Sequence, residues 1–224
     1  MGRLLGARNQ DYEATKVALA RRVRGAVVRR GAQVSLHELA READVSIPTI
    51  KHYFGDRSGA VAEALRTVKE DAAQYTAGVA DPGDKGFEAS LRALATELAA
   101  AWVPHGVGQL FTAGMGAGLF DKAAGPGYLD GVLEPTVLAM EERLRVHARR
   151  GEARLDPTDE LAVRTAALAF LSPLLVALIH QHGLSGIKCR PLPMAAFINE
   201  LVERFTAAYG AKKALRASGR TKAE

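Results

Sequence analysis

The chain has 224 residues, a formal net charge of +5, 48% hydrophobic residues and only 6% aromatic residues. This mixture favours a helical globular protein with a sizeable core over a sheet protein. The single cysteine, Cys189, excludes an intramolecular disulfide framework, so we expect a cytoplasmic protein.

The N-terminal segment predicts an arm followed by a long helix. We expect a loose arm over residues 1–10 and a first helix over about residues 11–30, where apolar residues recur at four-residue steps. Gly31 follows as the residue that ends the helix. The apolar run at the start of the chain is short, so we expect no signal peptide.

Two short helices separated by a tight turn come next. Ser35 and Glu38 have the spacing of a capping box, which predicts that the second helix begins directly after Ser35. Asp44 occupies the turn, where it tolerates a left-handed backbone at modest cost. Ser46 caps a third helix over about residues 46–54. Two such helices form a helix-turn-helix when the second can lie in a DNA major groove.

The third helix has polar side chains opposite its apolar stripe. Ile50 and Phe54 are four residues apart and face inward, which leaves donors and rings on the other face. Because base-edge contacts specify a sequence and phosphate contacts set the register, we expect Thr49 and Lys51 to read bases. The DNA-binding residues predicted on this helix and its cap are Ser46, Ile47, Thr49, Lys51, His52 and Tyr53.

The charges are distributed unevenly along the chain. Residues 1–60 hold 11 Lys and Arg against 6 Asp and Glu, and residues 61–210 hold 14 against 18. Residues 211–224 hold 5 against 1 and predict a basic, disordered tail. A basic head on a mildly acidic body indicates that the head meets a polyanion.

The remaining sequence predicts further helices. A fourth, long helix starts after Asp56, and the turn-rich residues 81–86 mark the break between head and body. Very apolar residues 166–179 are too few to span a bilayer and predict a buried helix. The other predicted helices cover about residues 87–103, 107–120, 128–150 with a disturbance at Pro135, 158–183 with a kink at Pro173, and 194–209.

The motif in the third helix resembles the DNA-binding head of the tetracycline-repressor (TetR) family of bacterial regulators. The matching pattern is V-S-x-x-T-[IL]-x-x-[YH]-F, here VSIPTIKHYF over residues 45–54, with a basic residue three positions on. Strong similarity covers about residues 15–65. The resemblance implies an all-α fold, operator binding as a homodimer and regulation by a small-molecule effector.

The resemblance also implies roles for individual residues. Ser35, Tyr53 and Arg57 occupy positions that commonly hold phosphate in the family, and Thr49 a position that often contacts base or backbone. Lys51 departs from the family pattern, where tyrosine is frequent. Because a lysine can pair with guanine O6 and N7, this departure bears on the operator sequence rather than on the mode of binding.

The domain organisation that follows is a helix-turn-helix domain over residues 1–60 and a ligand-binding and dimerisation domain over residues 61–210, with about nine helices in all. The effector would be apolar or aromatic, held in a cavity made deformable by the glycines between Gly106 and Gly127. The predicted pocket residues are Trp102, Phe111, Met115, Phe120, Tyr128, Met140 and Phe170. The predicted dimer-interface residues are Leu168, Leu171, Leu175, Leu178, Phe197, Leu201 and Phe205.

Two other functions stay open on the sequence alone. One is a non-specific architectural DNA-binding protein, which a large apolar body disfavours, and the other is an enzyme that uses the glycine-rich middle. Spacing alone suggests no catalytic triad, and we expect no cofactor and no membrane partner. We also expect no metal site, because His180 and His182 are two apart on a helix end and do not share a face with each other.

Overall fold

The computed structural model describes residues 5–211, and side chains from residue 10 on. In this part of the chain the regular elements are helices, and the only β-type pairing is an isolated antiparallel bridge between Ala153 and Gly210. The predicted all-α fold is therefore confirmed. The start of the predicted arm and residues 212–224 of the predicted tail lie outside the described residues.

The α-helices are joined by short turns. In chain order they are α1 (Leu5–Arg30), α2 (Leu36–Glu42), α3 (Ile47–Phe54), α4 (Arg57–Asp71), α5 (Ala73–Ala80), α6 (Phe87–Ala101), α7 (Val107–Phe120), α8 (Gly125–Tyr128), α9 (Glu134–Arg149), α10 (Glu160–Leu178), α11 (Gly186–Cys189) and α12 (Met194–Tyr209). A 3₁₀ turn follows α1 (Gly31–Gln33), and π-helical turns follow α8 (Leu129–Leu133) and α10 (Ile179–Gly183).

Several predicted boundaries are confirmed and others are wrong. The predictions for α7 and α12 agree with the structure at both ends. In contrast, α1 already begins at Leu5, so residues 5–10 are helical rather than a loose arm. The predicted fourth helix is divided at Ala72 into α4 and α5. The number of α-helices in the described residues exceeds the expected nine or so. The predicted fourth helix is divided in two, and α8 and α11 are additional helices of a single turn.

The disturbance predicted at Pro135 is a π-helical turn just before it. The Glu134 N–H bonds to the Leu129 carbonyl, five residues back, instead of the usual four. Proline has no N–H, and its ring would collide with the carbonyl four residues earlier in a regular helix. The wider turn at Leu129–Leu133 relieves that collision and lets α9 continue to Arg149.

Helix α4 lies at the centre of the molecule. It packs along α1, with ion pairs Lys16–Glu63 and Arg24–Asp71 between them. On its other side it touches α8 and the following π turn, where glycines permit the contact. A methyl group on Gly127 would overlap the backbone of Ala62. Gly127 thus serves close packing of α8 on α4, whereas Gly106 and Gly108, in the stretch predicted to form a deformable cavity, line a surface cleft.

Helix α10 supplies much of the core of the body. With its π turn it covers Glu160–Gly183, a segment long and apolar enough to cross a membrane. Half of its most apolar 18-residue stretch is buried inside the protein. Phe170 and Leu178 are fully buried. The prediction of a buried helix is therefore confirmed for one side of α10. Its other side is exposed.

This burial corrects the predicted dimer interface. Four of its members are buried within the protomer rather than exposed on its surface. They are Leu171, Leu175, Leu178 and Phe205. Leu168 is exposed, and Phe197 and Leu201 are half-buried on α12.

A buried polar network joins α5, α6 and α9. The Arg143 guanidinium donates to the carbonyls of Gly78, Val79 and Asp81 at distances of 2.9, 2.5 and 2.8 Å. These carbonyls belong to the C-terminal end of α5, where they have no partner within the helix. A cation at this end also faces the negative pole of the helix dipole. Arg143 therefore fixes the position of α5 against α9.

His147 occupies the centre of the same network. Its ring is fully buried, with Nδ1 2.6 Å from Glu152 Oε2 and Nε2 3.0 Å from the Ser90 hydroxyl. Burial lowers the pKa of His147 below its ordinary value of 6.5, although the hydrogen bond and charge of Glu152 oppose this shift. The ring is therefore neutral at pH 7.

The lowered pKa of His147 predicts a loss of stability in weak acid. Below about pH 6.5 the unfolded chain binds a proton at His147 that the folded chain rejects, so the free energy of unfolding falls with pH by up to about 1.4 kcal/mol per pH unit. Above about pH 6.5 the full contribution is present. Urea unfolding between pH 5 and 7.5 measures this slope. The variant His147→Gln should have a shallower slope, and equal slopes would contradict the prediction.

Candidate nucleic-acid interface and ligand cavity

Helices α2 and α3 are held at a fixed angle by the turn between them. The Ser35 side chain accepts from the Glu38 N–H, and the Glu38 carboxylate accepts from the Ser35 N–H, which completes the predicted capping box. In the turn Asp44 has a φ of +53°, the left-handed conformation expected there. The Val45 N–H then bonds to the Ala40 carbonyl at 3.0 Å. Local sequence signals thus determine how α3 leaves α2.

Helix α3 is anchored from one face only. Ile50 is fully buried and Phe54 nearly so, both in the core between α1, α2 and α4. Ser46 caps the helix by accepting from the Thr49 N–H. Lys51 and His52 are exposed on the opposite face. The helix therefore presents a polar face to solvent while its apolar stripe fixes its position.

An aromatic cluster supports the exposed end of α3. The ring of Tyr12, from α1, stacks on Tyr53 with centroids 4.8 Å apart, and its hydroxyl donates to the His52 carbonyl at 3.2 Å. Tyr53 is half-buried as a result. Sequence reasoning missed Tyr12, because forty residues separate it from His52 and no local pattern indicates the contact.

Two predicted phosphate ligands are engaged within the protein. The Ser35 hydroxyl donates to Glu38 Oε2 at 2.9 Å, so its proton is already used in the capping box. The Arg57 guanidinium is turned toward the body, with a 2.8 Å ion pair to Asp121 and hydrogen bonds to the carbonyls of Ala32 and Val34. Ser35 is nevertheless exposed, whereas Arg57 is half-buried.

Asp121 connects the end of α7 to the start of α4. Its Oδ2 accepts from Arg57 and from the Ser58 hydroxyl, while its Oδ1 accepts from the Ala123 N–H. The hydrogen bond from Ser58, the backbone N–H of Ala123 and the charge of Arg57 hold the pKa of Asp121 below its ordinary value. A charged Asp121 at neutral pH therefore ties the helix-turn-helix to the body.

Ion pairs neutralise much of the predicted basic charge of the head. Arg29 pairs with Glu42 and Arg30 with Glu38. Among residues of α2 and α3, the exposed cations that form no ion pair with a described residue are Arg41 and Lys51. Sequence reasoning missed Arg41, whose exposed position in α2 was its only signal.

A small apolar cavity lies in the body beside α4. It has a volume of about 250 Å³ and is enclosed by α4, α5, α7, the first π turn and α9, with Val68, Phe111 and Val132 in its wall. This volume is below the range of about 300–1,000 Å³ typical of drug-sized ligand sites. No charged side chain lines the cavity.

Of the residues predicted to line a pocket, only Phe111 reaches this cavity. Trp102 instead lines a separate surface cleft of about 360 Å³ beside the second π turn. Met140 and Phe170 are fully buried core residues, and Phe120 is 87% exposed at the end of α7. The remaining two do not line the cavity either: Met115 is half-buried on α7, and Tyr128 is buried with its ring edge-on to Phe111.

One side-chain arrangement has the geometry of a hydrolase triad, which residue spacing did not indicate. Ser90, His147 and Glu152 form a continuous hydrogen-bonded line. However, Ser90 and His147 are fully buried, and Arg143 also donates to the Ser90 hydroxyl. None of the described cavities is lined by Ser90. A substrate cannot reach this serine, so the line serves as a structural network.

The residues considered for metal binding do not converge. Within residues 5–211 no group of three or more His, Cys, Asp or Glu side chains is arranged to hold a metal ion. His180 Nδ1 lies 2.7 Å from the Gln181 amide, and Cys189 is exposed. These side chains are not arranged around a common metal position.

Comparison with protein-family models and with curated proteins gave no match. Solved structures do match. A Mesorhizobium loti protein described as a TetR-family transcriptional regulator has a TM-score of 0.69 at 17% identity, over 88% of this chain and 98% of that one. A TetR transcriptional regulator from Agrobacterium tumefaciens has a TM-score of 0.55 at 20% identity, over 88% of this chain and 95% of that one.

A third similar structure is NalD from Pseudomonas aeruginosa, the secondary repressor of the MexAB-OprM multidrug efflux pump. It has a TM-score of 0.55 at 19% identity, over 93% of this chain and all of that one. All three similar chains are matched over nearly their full length, so the likeness covers head and body together. The chain has the fold of the TetR-family transcriptional regulators.

Proposed function

We propose that this chain is a TetR-family transcriptional regulator that binds a palindromic operator as a homodimer. The observation that carries the proposal is α3, a capped helix whose polar face is exposed while Ile50 and Phe54 anchor it from behind. A helix so presented fits a major groove. Lys51 is the candidate for base readout, and Tyr53, supported by Tyr12, is the candidate for phosphate positioning.

The proposed homodimer would form through the exposed side of α10. Between Leu161 and Val176 the exposed residues of this helix lie along one face, and none of them is charged. They are Leu161, Thr165, Leu168, Ala169, Ser172 and Val176. A charge-free stripe of this length on a protein surface is typical of an interface core. Two-fold pairing would place two α3 helices on successive half-sites.

Placing a charge on this stripe should separate the subunits. Val176 is 64% exposed, so the variant Val176→Glu should fold normally and yet raise the dimer dissociation constant by about 100-fold, because a carboxylate would be buried without a partner. Sedimentation equilibrium measures the effect. Leu138→Glu, at a 51% exposed leucine on α9, is the matched control and should remain dimeric. A monomeric control or an unaffected Val176→Glu would contradict the assignment.

Operator binding can be tested with a random pool of double-stranded DNA. Selection of the duplexes that the chain retains, followed by footprinting of the enriched sequences, should give a discrete palindrome with half-sites about 34 Å apart. Uniform coverage of any sequence would instead support the architectural alternative. Failure to bind any duplex at low salt would refute the proposal, since phosphate contacts dominate at low ionic strength.

The cavity beside α4 is the proposed effector site, and release of repression is its proposed effect. Helix α7 contributes Phe111 to the cavity wall, and the residue that follows its C-terminal end, Asp121, is bound to Arg57. A ligand that displaces α7 would thereby move the start of α4 and the head attached to it. The comparison with NalD, a repressor, supports repression as the direction of control.

A further inference from the structure

The hydroxyl of Tyr128 is a buried donor that the fold leaves without a partner. Tyr128 is only 5% exposed, and its hydroxyl forms no hydrogen bond with any described residue. Leaving a buried hydroxyl unpaired costs about 1–3 kcal/mol. Burial raises the pKa of Tyr128 to about 12, so the hydroxyl keeps its proton and remains a donor at neutral pH. The role proposed above for the molecule does not use this group.

The Tyr128 ring lies along α7 and meets Phe111, a residue of the cavity wall. Its Cβ lies beside Gly118, its Cδ2 and Cε2 lie against Gly114, and its ring meets Phe111 edge-on with centroids 6.4 Å apart. From Cβ outward, the atoms of Tyr128 therefore contact residues progressively closer to the N-terminal end of α7. The hydroxyl, beyond Cε2, therefore lies on the side of Phe111. Phe111 in turn forms part of the cavity wall.

The cavity offers almost no other polar partner. The Thr76 hydroxyl donates to the Ala73 carbonyl at 3.0 Å, and the Thr136 hydroxyl donates to the Val132 carbonyl at 3.0 Å. Tyr75 lies at the exposed edge with 40% of its surface accessible. A charged ligand would lose its hydration in this cavity without compensation. A neutral ligand would fit the apolar wall.

We propose that the cavity binds a small neutral molecule with an apolar body and one hydrogen-bond acceptor, and that the Tyr128 hydroxyl donates to this acceptor after Phe111 rotates aside. The inference rests on the proposed effector site and specifies its chemistry. An aryl ketone is the simplest molecule of this class. Its carbonyl would satisfy the buried hydroxyl, while its ring and methyl group would contact the apolar wall.

A matched pair of probes tests the inference. Acetophenone and α-methylstyrene have nearly the same shape, but only acetophenone carries an acceptor oxygen in place of a methylene carbon. Isothermal titration of the full chain should give binding of acetophenone about 10-fold tighter than that of α-methylstyrene, equivalent to one hydrogen bond. The variant Tyr128→Phe should bind the two probes equally. Tyr209→Phe, at the end of α12 and outside the cavity wall, is the matched control and should keep the preference.

A second measurement is independent of ligand and DNA. Because Tyr128→Phe removes an unpaired buried hydroxyl, its thermal midpoint should rise above that of the natural chain. A lower midpoint, a preference retained in Tyr128→Phe, or no binding of either probe to the natural chain would each overturn the inference. Operator binding of the unliganded chain separates this failure from failure of the proposed function, because it does not depend on the cavity.

Discussion

Replacing Lys51 by alanine is expected to lower the affinity of the dimer for its selected operator by about 100-fold. Lys51 is exposed on α3 and forms no ion pair with a described residue, so its ammonium is available to a base edge. One specific base contact contributes about 1–3 kcal/mol, and a two-fold dimer loses two of them. Fluorescence anisotropy with the selected duplex measures the loss.

A second lysine serves as the control for Lys51. Lys85 is exposed in the turn before α6, and Lys85→Ala should leave operator affinity unchanged. The change at Lys51 should also relax the sequence preference at one base pair of each half-site, whereas loss of a phosphate contact would weaken all sequences alike. If Lys51→Ala binds the operator as tightly as the natural chain, α3 does not read the DNA through this residue.

Replacing Gly131 by alanine is expected to destabilise the fold by about 3 kcal/mol. Gly131 lies in the π turn that packs on α4, and a Cβ there would overlap the Leu65 carbonyl and approach the Cα of Arg66. Both obstacles are backbone atoms, so no side-chain rotation can relieve the overlap. Helix α4 and the turn would have to separate. Such a loss is a large part of the roughly 5–15 kcal/mol that stabilises a typical protein.

Urea unfolding of a paired glycine variant tests this expectation. Gly78 lies inside α5 with nothing within 4 Å of an added Cβ, so Gly78→Ala should be stabilised by about 0.5–1 kcal/mol. The two variants make the same chemical change in helical backbone and differ only in their surroundings. Equal urea midpoints for the two variants would show that the close packing of Gly131 against α4 does not determine the stability of the fold.

The helix-turn-helix could be predicted almost completely, because its signals act within a few residues. Ser35 and Glu38 satisfy each other across three positions, and Ser46 caps α3 through Thr49. Asp44 takes the left-handed conformation that the turn requires. The signals that set the boundaries of α7 also lie close to them in the chain. In contrast, the division of the fourth helix at Ala72 had no signal, since neither proline nor glycine marks that position.

The predicted contacts in the body were less accurate, because apolar periodicity indicates that a residue is buried but not what covers it. Leu168 and Leu171 belong to the same helix, and only the packing of α9 and α12 against α10 decides that one is exposed and the other buried. Similarly, Phe111 lines the cavity while Phe120, on the same helix, is exposed.

The sequence by itself determined the all-α fold, the capped helices α2 and α3 and the inward stripe of α3, since each depends on propensity, spacing and caps along the chain. Only the tertiary structure decided that Arg57 binds Asp121, that Gly131 lies against Leu65 and that the Tyr128 hydroxyl is buried without a partner among the described residues. These contacts join residues far apart in the chain. Their existence depends on how the helices pack, and no local pattern records that packing.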